Sequence, residues 1–180
     1  TGIKGSTIAP DLLLNFAIGQ YDTYTPLQLM QYINTIANRG NRMRLSFLDH
    51  ISDKEGNVLF KKEPEVLNTY ALDPTYFERI QTGFYQVVNL GTGYGYTDVA
   101  FRPAGKTGTS ETYFDSNQDG VGDILTITNT YAMYAPYDDA KYSMVVISPN
   151  VNHYEGKTDY FAYINRYISR AVSDYVFANY

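Results

Sequence analysis

Between Ala104 and Tyr113 the chain runs AGKTGTSETY. Lys106, Thr107 and Thr109 set an ammonium and two hydroxyls around Gly108, in a stretch whose threonines favour a strand. An ammonium flanked by hydroxyls is a grip for a carboxylate, and the glycine lets a second backbone come close. At a sheet edge, free N–H and C=O groups would take an extended peptide as an added antiparallel strand. In acyl transfer, an N–H of the same strand would donate to the oxyanion of the tetrahedral intermediate. The triplet on its own fits a solvated lysine beside a turn glycine equally well, since short motifs recur by chance. Lys106 is expected to face a groove, of which this strand forms one wall.

A second polar run, DSNQDGVGD, occupies 115–123. Asp115, Asn117, Asp119 and Asp123, with Gly120 for the sharp turn, match the first part of a calcium loop. The twelfth position, where an EF-hand carries a bidentate Glu, is Thr126, and the flanks read as strands. A turn built of good turn formers is the preferred reading, and a calcium-stabilised strand connection is the alternative. His50 and His153 lack a partner pattern for a Ser-His-Asp triad and read as surface or satisfied structural residues.

The elements that must position these groups follow from pattern. Thr25, Pro26 and Gln28 form a helix start with a capping box; Leu29, Met30, Ile33, Ile36 and Ala37 make one apolar stripe, and Gly40 closes it. Two apolar-rich runs around Lys54-Glu55-Gly56-Asn57 predict a hairpin. Asp73-Pro74 opens a second helix with Phe77, Ile80, Phe84, Val87 and Val88 on its inner face, ending at the glycines of LGTGYG. VAFRPAGKTGTSETY, ILTITNTYAMYAP and KYSMVVISP read as three strands, with Ser148-Pro149-Asn150 at the end of the last. From about Lys157 to Phe177, apolar residues at 161, 164, 168, 171, 172 and 176 predict a closing helix with one buried face. The order implies an α+β layer structure, an antiparallel sheet with packing helices.

Composition narrows the function classes. The 180 residues are 44% hydrophobic and 18% charged, a globular balance for one domain. The net charge of -5, with no basic run longer than Lys61-Lys62, excludes a phosphate-driven nucleic-acid partner. Cysteine is absent, which excludes disulfide and thiolate chemistry and suits an extracytoplasmic bacterial location. Apolar runs such as MVVI, residues 144–147, are far too short for a membrane span, so any anchor is expected outside this chain. The opening TGIKGSTIAP has no Met and no signal-peptide pattern and reads as a fragment boundary.

Three stretches in this order, FAIGQYDTYTPLQLMQYINTIANRG, NLGTGYGY and AGKTGTSE, closely resemble the C-terminal half of the transpeptidase domain of penicillin-binding proteins. The opening Thr1-Gly2-Ile3 is similar to the family's preceding segment. The Thr-Pro-Leu-Gln-Leu helix favours penicillin-binding proteins over soluble β-lactamases, and the resemblance points to the monofunctional class B type. It implies that residues 1–180 are the C-terminal part of a single penicillin-binding/β-lactamase-like transpeptidase domain. Lys106 would support proton movement and bind the substrate's terminal carboxylate. Thr107 and Thr109 would hydrogen-bond that carboxylate beside Gly108, and the Thr109 N–H would form half of an oxyanion hole.

The family's Ser-x-x-Lys nucleophile is absent: no serine of the chain has a lysine three positions later, and Ser148-Pro149-Asn150 follows the lysine strand where a Ser-x-Asn motif should precede it. The nucleophile and its lysine base are therefore expected on polypeptide N-terminal to Thr1, and this segment alone is expected to be inactive. The implied reaction is acyl transfer from a D-Ala-D-Ala stem peptide through a serine ester, which β-lactams would trap. Implied partners are the N-terminal remainder of the same protein, the peptidoglycan stem peptide, β-lactams and a membrane glycan polymerase. The implied place is the outer face of the bacterial cell membrane, and no cofactor is expected apart from the calcium alternative. A non-catalytic β-lactam sensor or pseudoenzyme of the same fold is the alternative function. A calcium-loaded adhesion domain would leave the Thr-Pro-Leu-Gln-Leu helix and the lysine strand unexplained.

Overall fold

The computed structural model describes residues 13–19, 22–151 and 163–180. Thr1-Gly2-Ile3, Gln20 of the I-G-Q stretch, His153 and the 157–162 start of the last helix lie outside the described residues. A short helix, α1 (Leu13–Ala17), buries none of its residues. Next, α2 (Pro26–Ala37) begins where side-chain chemistry dictates. The Thr25 hydroxyl accepts from the Gln28 N–H at 3.2 Å, while the Gln28 side-chain Oε1 accepts from the Thr25 N–H at 2.9 Å. Gly40 turns the chain at φ +94°, and a Cβ there would stand 2.7 Å from Phe77 Cζ and 2.9 Å from the Tyr70 carbonyl oxygen. Only glycine fits.

Four short strands follow. β1 (Asn41–Met43) pairs antiparallel with β4 (Val66–Thr69), and β2 (His50–Ser52) pairs with β3 (Val58–Lys61) as the expected hairpin. Its turn is organised by Asp53, whose carboxylate accepts from the N–H groups of Glu55 at 3.0 Å and Asn57 at 2.8 Å. The bracketing β1–β4 pair has no sequence signal, because three or four residues are too few to show alternation.

α3 (Pro74–Leu90) starts at Asp73, which accepts from the Thr75 N–H at 2.9 Å. It buries Phe77, Gln81 and Val88. Ile80, expected on the inner face, is 41% exposed. Gln81 takes the inward place because its amide donates to the carbonyls of Ile36 at 2.8 Å and Ala37 at 3.3 Å. Those are last-turn carbonyls of α2, and the Ile36 oxygen also accepts from the Arg39 N–H at 3.1 Å.

The main sheet has the order β5-β6-β7, built from β5 (Ala104–Phe114), β6 (Ile124–Ala135) and β7 (Tyr142–Val151), all antiparallel. Alternation along β6 supplies two cores. Ala132 and Tyr134 join Ala104, Ile33 and Ile36 under α2. Tyr131, Met133 and Ala135 join Val88 on the opposite face, with Tyr96 and Phe177 packed against them. The first strand starts later than its composition suggests: Asp98 caps a 3-10 turn at Val99–Phe101, and Arg102 adopts a left-handed φ of 52° before the strand begins.

The closing helix, α4 (Ile164–Asn179), overturns the expectation about its buried face. Its buried residues are Asn165, Ser169 and Ser173, whereas Ile168 and Val172 are 40% and 44% exposed. Hydrogen bonding selects that rotation. Asn165 donates from its amide to the Val146 carbonyl at 3.2 Å and accepts from Ser148 Oγ at 2.6 Å. Ser169 Oγ donates to the Tyr96 carbonyl at 2.8 Å. Small polar side chains also let the helix lie close to the sheet, which the bulkier stripe would prevent.

Candidate active site

Lys106, Thr107, Gly108 and Thr109 lie together on β5, the outer strand of the three-stranded sheet. The way into the strand is fixed on three sides. Asn89 donates to the Pro103 carbonyl at 2.8 Å and the Tyr85 carbonyl at 2.7 Å. Tyr137 N–H donates to the Arg102 carbonyl at 2.7 Å, and the Arg102 guanidinium bonds Asp138 at 2.7 Å. Ala104 and Gly105 are buried; Lys106 is the first residue of the strand to reach solvent.

Both glycines of the motif exist because the neighbouring strand is close. A Cβ on Gly105 would run into the Ala132 carbonyl oxygen and Met133, and one on Gly108 would run into Thr130 Oγ1 across the ladder. The Lys106 ammonium folds back onto the Thr107 carbonyl at 2.6 Å. Thr107 Oγ1 lies 3.1 Å from Thr92 Oγ1, and the exposed Thr109 makes a long 3.4 Å contact with Asn129 Oδ1. As an edge strand, β5 turns every second N–H and C=O away from β6, the arrangement that an added strand or an oxyanion uses.

The cavity that the described residues form does not lie at Lys106, where a groove was expected. A cavity of about 400 Å³ lies elsewhere, between the end of α2, residues 43–49, residues 62–64 and the start of β7, and no residue of β5 lines it. The core under α2 includes Ala104 and Ala132, and among the described residues Lys106 lies outside it and is exposed.

Sequence reasoning used NLGTGYGY for the family resemblance and as a helix stop but gave the residues of this loop, between α3 and the 3-10 turn, no part in the site. Thr97 and Tyr131 share a buried hydroxyl contact of 3.1 Å, and the rings of Tyr96 and Tyr131 lie 4.9 Å apart. Burial pushes the Tyr131 phenol up, which keeps it a neutral partner for Thr97. Arg170 reaches Asp98 at 2.5 Å and Asp174 at 2.8 Å, tying α4 to the same loop. The signal in the sequence was Thr92 between Gly91 and Gly93, in a stretch that otherwise reads as a helix stop and as part of the family resemblance.

The acidic loop is organised as a turn. Asp115 accepts from the N–H groups of Asp119 at 3.2 Å and Gly120 at 2.7 Å. Asn117 accepts from the Asp119 N–H at 3.1 Å, and Asp119 accepts from the Val121 N–H at 2.8 Å. The Ser116 hydroxyl and N–H bond Asp123 and hold its carboxyl below the usual carboxylate range. Among the described residues, no group of three or more His, Cys, Asp or Glu side chains is placed to hold a metal. His50 is exposed, with Nδ1 2.8 Å from Asp49 Oδ2. Ser148-Pro149-Asn150 ends β7, where the ladder shifts register and Asn150 has φ 52°.

An antiparallel sheet with helices on both faces and Lys-Thr-Gly-Thr on its outer strand has the architecture of penicillin-binding transpeptidase domains. Residues 3–162 match the family described as penicillin binding protein transpeptidase domain, and the chain belongs to it. It is 39% identical over 155 residues to penicillin-binding protein 2A of Bacillus subtilis, covering 83% of this chain and 22% of that protein. To the peptidoglycan D,D-transpeptidase MrdA of Haemophilus influenzae it is 31% identical over 159 residues, 82% of this chain and 23% of that protein. Among solved structures, penicillin-binding protein 2B of Streptococcus pneumoniae strain R6 superposes with a TM-score of 0.64 at 29% identity, covering 93% of this chain and 28% of that one. The chain thus spans 22% and 23% of the lengths of these two curated relatives.

Proposed function

We propose that this chain is the C-terminal part of the transpeptidase domain of a class B-type peptidoglycan D,D-transpeptidase, supplying the substrate-binding wall of a site whose nucleophile comes from the N-terminal remainder of the same protein. The observation that carries this is the Lys106–Thr109 run on the outer strand of the sheet, with Lys106 and Thr109 exposed, in a chain of this family. The absence of any Ser-x-x-Lys in the sequence supports a nucleophile supplied from elsewhere.

In this reading the Lys106 ammonium and the hydroxyls of Thr107 and Thr109 hold the carboxylate of the terminal D-Ala. A serine oxygen attacks the preceding carbonyl, the Thr109 N–H steadies the oxyanion, and the amide C–N bond breaks as the leaving amine takes a proton. An amine from a neighbouring stem peptide then attacks the ester, and the serine oxygen leaves with a proton. A β-lactam would acylate the same serine, and its opened ring would stay attached. No helix among the described residues is long and apolar enough to cross a membrane, so tethering to the outer membrane face would rest on other sequence.

The test uses the full-length protein. Labelled penicillin should form a covalent adduct seen by mass spectrometry, and a D-Ala-D-Ala stem peptide should lose its terminal D-Ala. A protein forming the adduct without turning over the peptide would be a sensor, and one forming no adduct would overturn the reading.

A further inference from the structure

We propose that Thr92 is a positioning residue for the carboxylate grip, acting through the hydroxyl of Thr107; this rests on the transpeptidase reading above. The turn Gly91-Thr92-Gly93 is folded tightly onto the end of α3. The N–H groups of Gly91 and Gly93 both donate to the Val87 carbonyl, at 3.2 and 2.9 Å. A Cβ on Gly91 would meet that oxygen at 3.1 Å, and one on Gly93 would meet it and Val88 Cα at 3.2 Å. Thr92 is the only residue of the three with a side chain, and its hydroxyl is delivered to Thr107 Oγ1 at 3.1 Å.

The loop carrying it cannot drift from the sheet. Tyr96 N–H donates to the Gly93 carbonyl at 3.1 Å, the Tyr96 carbonyl accepts from Ser169, and Thr97 is buried against the Tyr131 hydroxyl. Thr92 itself is exposed, so the pair sits at the solvent-facing rim where a ligand arrives.

Proton count gives the contact a direction. Each threonine hydroxyl has one proton, and a carboxylate only accepts. When Thr107 gives its proton to the substrate carboxylate, the contact with Thr92 has to be made by the Thr92 proton. Thr92 O–H then donates to Thr107 Oγ1, which donates to the carboxylate, and each bond polarises the next. Lys106 meanwhile donates to the Thr107 carbonyl in this structure, so backbone and side chain of Thr107 are both engaged. Without the Thr92 hydroxyl, Thr107 is free to turn its proton away from the ligand.

The experiment measures second-order acylation of the full-length protein by a fluorescent β-lactam with a free carboxylate and by its methyl ester. Thr92→Val should slow the carboxylate reagent about three- to tenfold, the range of one hydrogen bond, change the ester reaction little, and leave the thermal midpoint unmoved. Thr92→Ser should restore the rate. In a Thr107→Val background, Thr92→Val should have no further effect, because the two hydroxyls act as one unit. Equal slowing of both reagents, an unchanged carboxylate rate or additive losses would overturn the proposal. If wild-type protein forms no adduct with either reagent, the transpeptidase reading fails with it, whereas an adduct with an indifferent Thr92 sinks this inference alone.

Discussion

The two ends of the β5–β6 hairpin share a threonine-rich ladder but are held by different means. At the Ala104–Thr109 end, the strand is packed under α2, tied to α3 through Asn89 and touched by the loop through Thr92. At the far end, the carboxylates of residues 115–123 satisfy their own turn, and Tyr113, Val121 and Leu125 are exposed. A ladder of hydroxyls joins the two, with Thr112 Oγ1 2.9 Å from Thr126 Oγ1 and Thr126 donating to Asn150 Oδ1 at 3.0 Å. The end that carries the lysine is fixed by the fold, while the tip, among the described residues, is held by its own side chains. A site that must hold a carboxylate within a few tenths of an ångström belongs on the first kind of end.

Breaking the fixed end should cost most. Gly105→Ala puts a methyl against the Ala132 carbonyl oxygen and the Met133 backbone, so denaturant unfolding should show a loss of about 3 kcal/mol. Gly108→Ala meets only the Thr130 hydroxyl and should lose about 1–2 kcal/mol. Adding Thr130→Ala should recover most of that loss, and no recovery would show that the clash lies elsewhere. At the tip, Gly120 has φ +91° with open space around it, so Gly120→Ala should cost about 1 kcal/mol from backbone conformation alone.

Acid should loosen the tip. The Asp123 carboxyl is held below its usual range, first by the Ser116 hydroxyl and then by the Ser116 N–H. Its contribution is therefore fully present above the unfolded value near 3.9 and is lost as pH falls through the lower folded value. The protection of the Ser116 amide from hydrogen exchange, relative to its intrinsic rate at each pH, should fall across that window, and Asp123→Asn should abolish the pH step. The smallest effect expected is none: calorimetric titration with millimolar calcium should give no heat, because these side chains already serve the turn.

Much of the fold was written locally. The α2 start could be read because Thr25, Pro26 and Gln28 act within one turn, and the three long strands because threonine, tyrosine and valine fill them. The rotation of α3 and α4 could not be read. Gln81 and Asn165 point inward to bond carbonyls of α2 and β7, partners that exist only after folding, so a count of apolar spacing chose Ile80 and Ile168 instead. At the site, Lys106 to Thr109 stood out by residue type, whereas Thr92 reaches Thr107 only through the tertiary fold.

The most direct test of the central claim is the acylation rate of Lys106→Ala in the full-length protein, measured beside its unfolding midpoint. Loss of one charged donor aimed at the substrate should slow acylation about a hundredfold or more. The midpoint should hold, because the ammonium is exposed and, among the described residues, bonds the neighbouring Thr107 carbonyl. Undiminished labelling by the variant would contradict the role assigned to the strand.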